Sequence, residues 1–178
     1  GDWLPREVPQ TIIPEVVPTA QGQVQYVQRD IPQTTLLIGD LGLTKDDPDQ
    51  YAARVMNYIL GGGSFNSRLM REIRSDRGLA YSAYSYFQVG RRLPGPFVAG
   101  TETKNESVVE ALDLMRSIMV DLREQAVSCA ELDLAKDSLI NSFVFGFDDS
   151  HAVVTQQLRL DFFDYPQDYL SSYRKRIA

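Results

Sequence analysis

A glycine triplet, Gly61-Gly62-Gly63, closes the first helical pattern of this chain and constrains what lies on either side of it. Glycine loses more backbone freedom on folding than any other residue. A run of glycines therefore marks a place where the chain must turn, pass close to something, or move. Before the triplet, Asp47-Pro48 has the form of a helix start: a capping side chain, then a proline whose missing N–H does no harm in the first turn. Ala52, Val55, Met56, Ile59 and Leu60 follow at helical spacing. After the triplet, a second helix is expected from Ser64 or Asn66, burying Phe65, Leu69 and Ile73 and ending at Gly78. Residues 79–89, LAYSAYSYFQV, then read as a strand with aromatic side chains on both faces.

The rest of the chain extends this alternation. Residues 23–29, QVQYVQR, alternate and are expected to form a strand. Residues 34–43 are a more apolar run, expected to be a more buried strand. Residues 91–96 read as a loop and 97–103 as another strand. From there the pattern is helical. Val108, Leu112, Met115, Met119 and Leu122 make an apolar stripe, and Ser128 with Glu131 has capping-box spacing ahead of a helix through Phe143. Two further helices are expected over 148–163, starting near Ser150, and over 166–177. Strands early and helices late imply an α+β fold, a mostly antiparallel sheet with helices layered on one face. Residues 1–20 carry Pro5, Pro9, Pro14 and Pro18 and read as an extended linker, leaving 21–178 as the domain.

Several classes are excluded by composition. The net charge of −6 argues against a general nucleic-acid surface. No apolar run approaches the length needed to span a bilayer. Cys129 is the one cysteine and His151 the one histidine, so there is no internal disulfide and no Cys/His cluster from which to build a zinc site. Compartment is left open. The chain begins with glycine, not methionine, and is read as a piece of a longer protein.

Arginines follow the triplet at positions 68, 71, 74 and 77. Three readings of this stretch stand side by side. Glycine N–H groups ahead of a helix could cradle a phosphate, but no Gly-Lys-Ser/Thr follows, and the glycines come after a helix and not a strand. Alternatively the glycines only end one helix and start the next. Arg74 and Arg77 then answer the helix dipole, Arg68 and Arg71 are solvated partners of Glu72 and Asp76, and Tyr81 is an ordinary strand aromatic. In the third reading the stretch is one wall of a binding site.

The segment NYILGGGSFNSRLMREIRSDRGLAYSAYSYF, 57–87, resembles the pitrilysin, insulinase and mitochondrial-processing-peptidase family of zinc metallopeptidases. It is most similar to the second, non-catalytic domain of that family. The order of elements over 21–178 follows the same plan. Active members carry His-x-x-Glu-His, in which two histidines hold zinc and the glutamate serves as general base. Nothing of that is present here, and His151 reads as an ordinary residue in the first turn of a helix.

The resemblance implies a different task. In the non-catalytic half, an arginine and a tyrosine seven positions apart complete the chamber from the opposite wall, and Arg74 and Tyr81 have that spacing. The glycines Gly61, Gly62 and Gly63 would form a flexible loop beside them. No catalytic residue and no metal ligand is expected in this chain, with zinc in a partner domain, upstream or on another chain. The expected partners are that zinc-bearing domain and a peptide substrate. The alternative is a purely structural or assembly domain. Family domains continue with another helix and a closing strand, so the domain is expected to be cut short at Ala178.

Overall fold

The fold is seen in a computed structural model that describes residues 11, 12, 14 and 22–178. The proline-rich segment lies almost wholly outside these residues. Three strands form one antiparallel sheet: β1 (Gln33–Leu41), β2 (Ala80–Phe87) and β3 (Pro96–Lys104), in the order β1-β3-β2. In the central pairing Leu37 faces Gly100, and Tyr84 faces Gly100 from the other side. Between Ala80 and Ala83 the register slips in a bulge. The threonines of β3 take up the carbonyls that this irregularity leaves: Thr101 Oγ1 donates to Ser82 O at 2.7 Å and Thr103 Oγ1 to Leu79 O at 2.6 Å.

Five α-helices accompany the sheet: α1 (Gln50–Asn57), α2 (Val108–Glu124), α3 (Cys129–Ser142), α4 (Ser150–Phe163) and α5 (Tyr169–Ile177); α1 and α2 pack against it, and α3 and α5 pack on α1. Beyond α1 the helix widens over Tyr58–Gly62, and the Gly63 N–H reaches back five residues to Tyr58 O at 2.9 Å. A second wide-turn segment spans Met70–Asp76. The capping box of α3 is formed as the sequence implies, with Glu131 N donating to Ser128 Oγ and Ser128 N to Glu131 Oε2. Asp149 caps α4 by accepting from Ala152 N at 2.7 Å.

The helices close over two apolar clusters. One joins the sheet to α2 and the Met70–Asp76 segment through Leu69, Ile73, Ala83, Phe97, Ala99 and Met115. The other lies among the helices, where Tyr51 and Val55 of α1 meet Ala135, Leu160, Tyr169 and Tyr173. The opposite face of the sheet is open, with Leu37, Tyr84 and Tyr86 exposed on it.

Three expectations are corrected. Residues 22–31 do not join the sheet; both faces of the alternating run are exposed, Val24 at 98% on one and Val27 at 72% on the other. Alternation describes a strand only when an edge pairs with it, and no edge does so among the described residues. β1 is an edge strand and not a buried one, because its apolar run puts Leu37 and Leu41 on the uncovered side. Phe65 is 61% exposed and not core, because the chain between the triplet and Leu69 is a short turn and not a helix with a buried face.

Candidate functional site

Arg74 sits on the Met70–Asp76 segment, which is anchored by Met70, Ile73 and the preceding Leu69, all buried. The segment ends at Gly78, whose φ of +63° is a left-handed turn that a side chain would strain. Two backbone bonds close this end: Gly78 N to Arg74 O at 3.0 Å and Leu79 N to Ile73 O at 2.9 Å. The turn reverses the chain into β2, and Tyr81 emerges at the bulge near its start.

This geometry brings the two expected residues together. The Arg74 guanidinium carbon lies 4.6 Å from the centroid of the Tyr81 ring, a cation–π stack. Phe65 covers it too, at 4.9 Å. The guanidinium is thus held by faces while its N–H edges make no side-chain hydrogen bond or ion pair among the described residues. Tyr81 is 82% exposed. Phe65 was not legible as part of this group. It is placed by Ser64, a non-glycine residue at φ +51°, a strained conformation of the kind that collects at functional turns. Ser64 O is fixed by Ser67, whose Oγ donates at 2.7 Å.

The other arginines are used differently. Arg68 does not pair with Glu72 or Asp76; it makes a two-pronged bond to Glu131 on α3, 2.9 Å on each side. That guanidinium holds the Glu131 carboxyl down to about 2, helped by the N-cap bonds from Ser128. Arg71 reaches Glu72 loosely at 3.9 Å and Arg77 reaches Glu110 at 3.5 Å. Among these arginines only Arg74 has aromatic partners in place of a carboxylate.

The glycine triplet has a packing reason. A Cβ on Gly61 would run into the Ser85 backbone of β2, and one on Gly63 would sit 2.6 Å from Tyr58 O. Helix and strand therefore touch backbone to backbone here, and the Ser85 Oγ donates to Asn57 Oδ1 at 2.8 Å across the same contact.

The donor set does not suit a resident zinc. His151 and Cys129 are both exposed, and no group of three or more His, Cys, Asp or Glu residues could hold a metal among the described residues. No helix is long and apolar enough to cross a membrane among the described residues.

Fold and site together define an α+β half-domain of metallopeptidase type, with no metal-binding cluster among the described residues. Residues 1–139 match the family described as the peptidase M16 inactive domain, and the chain belongs to that family. It is 33% identical over 137 residues to an uncharacterized zinc protease of Streptomyces coelicolor, covering 77% of this chain and 29% of that protein. It is 34% identical over 120 residues to a non-peptidase homolog of Helicobacter pylori, covering 66% and 27%. The crystal structure of a peptidase M16 inactive domain from Pseudomonas fluorescens superposes with a TM-score of 0.74 at 34% identity, over 83% of this chain and 35% of that one. The chain thus spans about a third of the length of each of these three proteins, or less.

Proposed function

We propose that this domain forms the non-catalytic wall of a peptidase chamber and supplies Arg74 and Tyr81 to a peptide held against a zinc-bearing partner domain. The observation that carries the reading is the Arg74–Tyr81 stack, with the edge donors of the guanidinium unspent and the phenol exposed. A guanidinium offers a planar fork to a peptide carbonyl. A phenol O–H can donate to the oxyanion that develops as the carbonyl is attacked. Zinc in the partner domain would supply the activated water. Phe65 restricts the guanidinium to one plane, so the donors are oriented before substrate arrives.

The test is kinetic and uses the full-length protein with its zinc-bearing partner. Arg74→Ala or Tyr81→Phe should each lower kcat/KM by about a hundredfold to a thousandfold, the loss typical of one donor to a developing charge. Phe65→Ala should lower kcat/KM by less, and Phe65→Tyr should restore it. Arg71→Ala, the same charge on the same segment, should change little. Equal losses in the Arg71 and Arg74 variants, or losses matched by unfolding, would overturn the assignment.

A second reading is an assembly domain with no proteolytic role. A relative named a non-peptidase homolog favours it. Under that reading Arg74→Ala and Tyr81→Phe leave assembly of the full-length protein unchanged and there is no turnover to lose.

A further inference from the structure

A guanidinium without a negative partner lies inside the helical layer, away from the Arg74 stack. Arg54 of α1 is half-buried, and its Nε is enclosed with no hydrogen-bond partner. Its Nη2 donates to the Tyr169 hydroxyl at 3.2 Å, and its guanidinium carbon lies 5.7 Å from the Tyr173 ring centroid. None of the ion pairs among the described residues includes Arg54. Tyr169 does not supply the missing charge, because burial raises its hydroxyl above the ordinary range and keeps it neutral. A guanidinium does not deprotonate in a protein, and an enclosed charge is costly unless paired.

Two cavities of about 250 Å³ each flank this group, and Arg54 and Arg159 line both. No Asp or Glu lines either one. Phe143, Phe147 and Tyr173 wall the first cavity, and Gln156 adds an amide. Arg159 is exposed at the open side.

We propose that Arg54 and Arg159 form a binding site for a small carboxylate with an aromatic or apolar body. The carboxylate would pair with the cavity-facing edge of the Arg54 guanidinium and supply the negative charge that this group lacks, a geometry that guanidinium and carboxylate share. The body would lodge against the rings of Phe143, Phe147 and Tyr173, the usual division of labour in a small-molecule pocket. Arg159 at the mouth draws the anion in. Phosphate fits less well, because it is polar on every side and would press unsatisfied oxygens against aromatic walls. This site uses neither Arg74 nor Tyr81 and stands whether or not the protein is a peptidase.

Benzoate is the probe, with benzyl alcohol as its uncharged counterpart and inorganic phosphate as the anion without a body. In the full-length protein, benzoate should bind saturably by calorimetry and raise the melting temperature, and neither control should do so. Arg159→Gln should weaken benzoate by about tenfold or more, the loss of the charge that draws the anion in. Arg54→Met should abolish binding and leave the melting temperature without benzoate equal or higher, since it removes an unpaired charge. Absence of saturable benzoate binding overturns the proposal, and so does phosphate binding as tightly. Undiminished binding in both variants overturns it as well. An Arg54→Met protein that melts far below wild type would make Arg54 a structural group and overturn it too; the exposed Arg159 tests the site without that risk.

Discussion

Arg68 and Arg74 carry the same charge six positions apart, and their surroundings give them opposite tasks. Arg68 is spent: both prongs lock onto Glu131, and the pair ties the segment after the glycine triplet to the first turn of α3. Arg74 is kept available between two rings. The Glu131 carboxyl titrates near 4.5 when unfolded and at about 2 in the folded protein. A depressed folded pKa means the stabilisation is fully present above pH 4.5 and is lost as pH falls from there through about 2. Glu131→Gln should therefore lower stability at neutral pH by about 1.5–3 kcal/mol, the range for hydrogen bonds to charged groups. The deficit should shrink as pH drops toward 2. Urea unfolding at a series of pH values measures it, and a deficit that stays constant with pH would show that the carboxylate charge is not what matters.

At the scale of elements, the glycine triplet is the joint between the α1 end and β2. Gly61→Ala forces a methyl into the Ser85 backbone, which cannot give way as a flexible side chain would. The expected cost is about 1–3 kcal/mol or more, as for overpacking elsewhere. Gly78→Ala meets nothing in space and pays only for its left-handed φ, about 1–2 kcal/mol. Thermal melts that rank Gly78→Ala as the more damaging would show that this joint is not close-packed. Amide exchange speaks to the same segment. The Gly63 N–H is bonded to Tyr58 O, so exchange as slow as in α2 ties the triplet to packing, whereas fast exchange gives a mobile loop. These elements also mark what a sequence makes legible. The helix starts at Ser128 and Asp149 are local bonds and can be read directly. The order of strands and helices follows from period, whereas the pairing of Arg74 with Tyr81 is implied only by the family resemblance. Residues 23–29, Phe65 and the Arg68–Glu131 pair could not be read, because each depends on what another part of the chain brings to it. The reason for Gly61 is likewise non-local, since its neighbour Ser85 lies on a different element.

At the scale of the molecule, the helices bury one face of the sheet and leave the other open, and the domain holds no donor set for a metal among the described residues. If catalysis needs a metal on a partner wall, stability of this wall and activity of the whole must respond to that metal separately. The 178-residue chain alone should bind no stoichiometric zinc and hydrolyse no peptide. In the full-length protein, a chelator should abolish turnover, and re-added zinc should restore it. Through that cycle, hydrogen exchange in β2 and α2 should stay within error, because no folding free energy of this half is linked to metal binding. Arg74→Ala should behave in the converse way, keeping zinc content at wild-type level while losing turnover. Tightly held zinc in the isolated chain would show a donor set beyond the residues described. Loosening of β2 on chelation would show that the two walls are coupled more tightly than this division allows.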